Sequence, residues 1–160
     1  MTAINVLIVF YSRRGKSEAL ALAAGVGAIQ ARANVRLRRL PDLADPETIQ
    51  SDAAWSENVE RMSKDYIAPR EEDAQWADVL VLSAPADRTE EMEQYLDSAR
   101  DVIQGRTGVV LGTFAEKAAV VGVTVALPTD DAGDAAAATA YARRTVEAVR
   151  AAETGAAGAP

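Results

Sequence analysis

Histidine and cysteine are both missing from this 160-residue sequence. Without Cys there can be no disulfide, no thiol nucleophile and no thiolate metal ligand. Without His the commonest general base and the commonest transition-metal ligand are gone, leaving Ser-His-Asp chemistry and metal catalysis short of donors. No metal site is expected, no catalytic side chain is identifiable, and reactivity would have to come from a bound cofactor. Basic residues are also scarce: Lys plus Arg is 17 against 24 Asp plus Glu, a net charge of −7. An acidic chain without a basic tail is not expected to bind nucleic acid. No apolar run approaches the ~18 residues of a membrane span. Met1-Thr2-Ala3 lacks the basic start and long apolar core of a signal peptide, so a cytoplasmic location is the expectation. The length suits one domain, expected over residues 1–153 with a flexible tail at 154–160.

What the sequence does contain is an apolar run, Ile4 to Phe10, ending in Tyr11-Ser12-Arg13-Arg14-Gly15-Lys16-Ser17. A strand buried on both faces reads as such a run. The turn after it gathers hydroxyls, cations, a glycine and a helix N-terminus around one point, an arrangement suited to a phosphate. It is not a Walker loop, because that pattern needs Gly at position 10, where Phe10 stands.

A helical stripe follows over 17–31, in which Gly25 and Gly27 suggest close packing on a sheet. Val35 to Leu40 alternates apolar and basic residues like a half-buried or edge strand with a solvated arginine face. Residues 46–64 read as one helix, with Ile49, Ala53, Val59 and Met62 facing inward and Trp55 as a packing or interface anchor. Asp78 to Ser83 is a second buried-strand signal. Asp87 and Glu90 fit a capping box opening a helix over 89–103, closed by Gly105. Strands are expected at 108–112 and 120–127, and a last helix after Asp130 and Asp134. Alternating strands and helices imply an α/β fold, a doubly wound parallel sheet of order 2-1-3-4-5, with a ligand site where the first and third strands end. Residues 113–119 are too few for an ordinary helical crossover, so the last strand is expected to be antiparallel or irregular, or reached by a bare loop.

Val6 to Ser12 with Gly15, Trp76-Ala77-Asp78 before the third strand, Pro85, and the Asp52-Ala53-Ala54-Trp55 and Met92/Tyr95-Leu96-Asp97 helices together resemble the flavodoxin-like WrbA family of FMN-dependent NAD(P)H:quinone oxidoreductases. The resemblance covers roughly the first 110 residues. It implies an FMN whose phosphate sits on Ser12, Arg13, Arg14, Gly15, Lys16 and Ser17. The ribityl chain and ring would lie along Pro85, Ala86, Asp87 and Arg88, with Thr113 and Phe114 at the other edge. Two electrons would pass from NAD(P)H through the flavin to a quinone, in a homo-oligomer.

Departures from that family set the alternatives. Ala84-Pro85-Ala86-Asp87-Arg88 stands where a Thr-Pro-Thr-Arg-Phe pattern is usual. Arg14 replaces a Tyr, the family's active-site His has no counterpart, and the region after the fourth strand is cut short. Asp87 is read as a helix cap, and Phe114 as either a ring platform or a core residue. The alternatives are a flavin electron carrier and a flavin-free or weakly binding relative serving as an interaction subunit.

Overall fold

The computed structural model describes residues 3–129 and 134–158, with side chains over 3–125 and 134–153. β1 (Asn5–Phe10) is buried from Val6 onward because it lies inside the sheet, flanked by β2 (Asn34–Arg39) and β3 (Val79–Ser83) in parallel register, Val6 opposite Val35 and Val79. The sheet continues through β4 (Thr107–Leu111) to β5 (Thr124–Thr129), in the order β2-β1-β3-β4-β5. All four pairings are parallel. The run of apolar residues therefore hides a period of two. Val6, Ile8 and Phe10 join one core with α1 (Lys16–Gln30) and α8 (Ala135–Gly158). Leu7, Val9 and Tyr11 join the other, with Leu96, Ile103 and Ala118. Burying each large side chain contributes roughly 1.5–3 kcal/mol.

Several elements are shorter than their apolar periodicity implied. The helix expected over 46–64 breaks into α2 (Pro46–Gln50) and α3 (Ala53–Asp65) because Asp52 starts a new helix, accepting the Trp55 N–H at 3.2 Å. Met62 faces inward as expected, whereas Ala53 is exposed. Likewise 89–103 divides into α5 (Glu90–Ser98) and α6 (Arg100–Ile103), with Met92, Leu96 and Ile103 in the core and Gly105 closing the segment at φ 79.

The crossover from β4 to β5 corrects the expectation of an antiparallel strand or a bare loop. β5 begins at Thr124, not Val120, so residues 112–123 have room for a short helix, α7 (Ala115–Val120). The pairing is parallel, and the expected irregularity takes the form of a register shift between Gly108 and Val109. Asp134 precedes α8 and accepts the Ala136 N–H at 2.8 Å. Asp130 falls outside the described residues. The α8 backbone continues to Gly158, through much of the segment expected as a tail, and residues 159–160 are not described.

Gly25 meets the sheet, but Gly27 does not. A Cβ on Gly25 would lie 3.5 Å from Ile8 Cδ1, while one on Gly27 would fall on the Thr139 carbonyl of α8. Thr139 Oγ1 also donates to the Ala23 carbonyl at 2.8 Å, so α1 and α8 touch almost backbone to backbone. The opposite side of α1 leaves Leu22, Val26 and Ile29 exposed at i, i+4 and i+7.

β2 is the sheet edge, but its arginines are not simply solvated. Asp73, in the first turn of α4 (Glu71–Trp76), is wholly buried beneath two of them. It accepts from Arg36 at 3.1 Å, from Arg38 Nε at 2.9 Å and from the Arg70 N–H at 2.8 Å. Arg36 also stacks 4.2 Å over the Trp76 ring. Burial pushes the Asp73 carboxyl up, but Arg38, the Arg70 N–H and Arg36 outweigh it and hold it below the usual range. Outside β2, Arg38 bridges Ile67, and the Arg39 N–H donates to the Ile67 carbonyl at 3.0 Å. Among the described residues no helix is long and apolar enough to cross a membrane.

Candidate functional site

The chain runs from β1 outward to β2, then returns to β3 and builds the other way. The carboxyl ends of β1 and β3 therefore flank the point where loops diverge, which opens a crevice in such sheets. Here it is a cleft of about 790 Å³, within the range that holds a cofactor. Ser12, Arg13, Arg14, Lys16 and Ser17 line one wall, and Ala84 to Arg88 with Gly112 line another. Thr48, Ser51, Asp52 and Trp55, brought in by α2 and α3, form a third.

The first loop is shaped by Gly15. Its φ of 97 is a left-handed conformation that side chains resist, and the space at its missing Cβ is open. The turn lets the Gly15 N–H donate to the buried Ser12 Oγ at 3.0 Å and starts α1 at Lys16. The first-turn N–H groups of α1 have no intrahelical partner, and they carry the positive end of the helix dipole. Ser83 Oγ donates to the Ser17 carbonyl at 3.0 Å, fixing the loop to the end of β3.

The three cations of the loop are employed differently. Lys16 is exposed and makes no ion pair among the described residues. Arg14 pairs with Asp52 at 3.2 Å. Arg13 turns into a polar network behind the loop, 3.9 Å over the Trp55 ring, with Nε donating to Tyr11 Oη at 2.6 Å. Asp42 completes that network. It accepts from Tyr11 Oη at 2.7 Å, Trp55 Nε1 at 3.1 Å and Arg39 at 2.6 Å. Burial pushes the Tyr11 phenol far up, Arg13 opposes this, and Asp42 adds to it. Asn58 donates to the Arg13 carbonyl at 3.0 Å, so α3 clasps the loop from outside.

Deeper in α1, Glu18 accepts from Arg61 at 2.9 and 2.6 Å and from Tyr66 Oη at 2.6 Å. The Arg61 hydrogen bonds, partly offset by burial, hold the Glu18 carboxyl below its ordinary value. Burial, then the neighbouring Glu18, pushes the Tyr66 phenol to about 12. The Glu18 contribution to stability is therefore present above the unfolded pKa near 4.3 and is lost as pH falls through the lower folded value. Glu18→Gln is expected to flatten the pH dependence of urea unfolding below pH 5. An unaltered slope would mean that Glu18 titrates alike in both states.

In the second loop, Arg88 lines the cleft while its Nε donates to the buried Glu91 at 2.9 Å. Thr113 Oγ1 donates to the Ala86 carbonyl at 3.3 Å. Asp87 is exposed and is not the helix cap expected of it. The cap position belongs to Thr89, which makes no side-chain capping bond. Thr113 and Phe114 do not line the cleft. Phe114 is 3% exposed, at the start of α7 and inside the core. Gly112 makes room for it: a Cβ there would come within 2.9 Å of the Phe114 ring and 2.7 Å of the Ala84 carbonyl.

Sequence reasoning gave Asp42 no role, gave Tyr11 and Asp52 none beyond their place in the family resemblance, and read Trp55 as a packing or interface anchor. Trp55 packs and also lines the cleft. A hydroxyl and cation cluster is visible when contiguous, whereas Asp52 and Trp55 meet the loop only after α3 folds over it. The break at Ser51-Asp52 was the one signal that could have placed them.

No protein-family model matches the chain. The NAD(P)H dehydrogenase (quinone) of Deinococcus radiodurans is 34% identical over 102 residues, which cover 61% of this chain and 50% of that protein. The chain thus spans about half the length of the curated relative it matches. Among solved structures, a flavodoxin from the domain Archaea superposes with a TM-score of 0.63 at 16% identity, covering 92% of this chain and 99% of that one. The two-electron reduced flavodoxin of Megasphaera elsdenii gives 0.57 at 17% identity, covering 87% and 98%. Sheet order, helices on both faces and these superpositions agree that the chain has the flavodoxin-like fold.

Proposed function

We propose that the cleft binds FMN and that the protein is a flavoprotein of the NAD(P)H:quinone reductase type, a cytoplasmic homo-oligomer acting on a small-molecule quinone. The observation that carries this reading is the Gly15-started α1 N-terminus at the switch point, with an unengaged Lys16 beside it. Similarity to an NAD(P)H dehydrogenase (quinone) supports the activity class. The exposed Leu22, Val26 and Ile29 support assembly.

The residues present fit the phosphate end of the cofactor. Backbone N–H groups of the Ser12–Ser17 loop, the Ser12 and Ser17 hydroxyls and Lys16 would hold the dianion. Ala84 to Arg88 and Gly112 offer a wall for the ribityl chain and ring. Bound FMN would supply the two-electron carrier between a nicotinamide and a quinone. The chain's own part is to bind, orient and exclude water. Phe114 is inside the core, so no aromatic from that loop stacks on the ring. That observation favours, as a second reading, a weak flavin binder acting as an electron carrier or interaction subunit.

Titration of the protein into FMN, read by quenching of flavin fluorescence, tests the proposal. Quenching with a shifted flavin spectrum is expected; no spectral change and no thermal shift at saturating FMN would remove both flavin readings. NAD(P)H oxidation that requires both FMN and a quinone then separates a reductase from a carrier. Lys16→Ala should weaken FMN about tenfold, the scale of one charge-assisted hydrogen bond, and reduce the salt dependence of binding. Equal affinity would place the phosphate elsewhere.

A further inference from the structure

Arg14 and Asp52 both line the cleft and are paired with each other. Arg14 Nη2 lies 3.2 Å from Asp52 Oδ2, and the arginine side chain is 75% exposed, so it is free to change partner. Asp52 is not free. Its other oxygen, Oδ1, accepts the Trp55 N–H at 3.2 Å and starts α3, whose Trp55 is buried and whose Asn58 holds the loop carbonyl of Arg13. An exposed cation of the phosphate loop is thus paired with a carboxylate that caps α3.

We propose that Asp52 is an affinity-setting residue of the anion site, an intramolecular carboxylate that competes with a phosphoryl group for Arg14. The inference rests on the reading of Ser12–Ser17 as a phosphate loop. A carboxylate offers one charge and two oxygens, whereas a phosphomonoester carries close to two charges and three acceptor oxygens. The phosphoryl group therefore wins Arg14, but the exchange returns less than a free arginine would. Asp52 cannot withdraw, so it also repels the incoming dianion. Asp52 lowers phosphate affinity on both counts. Arg13 plays no part in the exchange, being held over Trp55 and bonded to Tyr11.

Asp52→Asn keeps an oxygen for the Trp55 N–H, since Asn caps helices as well as Asp does, and removes the charge. Its expected effect is about fivefold tighter binding of FMN, the upper range for an exposed ion pair, with a similar gain for inorganic phosphate measured by competition. Riboflavin, which lacks the phosphate, should bind both proteins alike. Arg14→Ala should cost little in the wild type and several-fold in the Asp52→Asn background, because only there is the arginine unopposed. Asp52→Ser, another charge-free cap, should reproduce the gain if Asp52→Asn folds poorly. Unchanged or weaker FMN and phosphate binding in both folded variants, with wild-type binding intact, overturns the competition. Absence of phosphate and FMN binding in wild type and variants alike overturns the phosphate-loop reading itself.

Discussion

Gly27→Ala is expected to destabilise the protein by about 3 kcal/mol, the scale of overpacking in a close-packed core. In an ordinary helix interior the same change stabilises by up to about 1 kcal/mol, because Ala is the better helix former. The sign reverses here because the new methyl group lands on the Thr139 carbonyl, with the Arg143 N 3.2 Å away. Backbone cannot yield as a side-chain tip does, so α8 must move off α1. Gly25→Ala, two residues away, is the internal control. Its methyl group meets only Ile8 Cδ1 at 3.5 Å, an ordinary contact, and about 0.5–1 kcal/mol of stabilisation is expected. Urea unfolding of the two variants checks the pair. Destabilisation by both would show that helix propensity at α1 counts for little, and stabilisation by both would contradict the tight α1–α8 contact.

Asp73→Ala is expected to cost roughly 3–5 kcal/mol, as removal of one partner from a buried ion pair does. The carboxylate joins α4 to the edge strand through Arg36 and Arg38 and also accepts the Arg70 N–H. Removing it strands Arg38, whose side chain is only 14% exposed. The folded carboxyl lies below its ordinary value. Its contribution is therefore present above the unfolded pKa near 3.9 and disappears as pH falls through the folded value. The variant should lose much of its stability at pH 7 yet approach wild type in strong acid. Equal losses at pH 7 and pH 2.5 would assign the effect to packing, not charge.

The parts legible in the sequence are those whose information is contiguous. Val6 to Phe10 and Val79 to Leu82 read as strands because burial on both faces leaves no polar position to blur them. Ser12 to Ser17 read as an anion loop because its groups follow one another in the chain. What was not legible depends on residues far apart. Arg36 and Arg38 look like a solvated face until α4 brings Asp73 beneath them. Val120 and Val121 belong to an apolar run too short to show a period, so a helix end passed for a strand and the crossover looked too short. Phe114 stayed open between a ring platform and the core because nothing local reveals that Gly112 leaves a hole for its ring. In the second loop, Asp87 carried a capping pattern that the backbone does not use.

The edge strand has one further consequence. An open sheet edge is a template on which a strand of another molecule can dock, and repetition of that event makes fibres. At β2 the outer backbone is already partly occupied by the bridge to Ile67. An approaching chain would also meet Arg36 and Arg38, both paired with the Asp73 carboxylate. The arginines that fasten α4 to the sheet thereby also stop the sheet from growing into its neighbours.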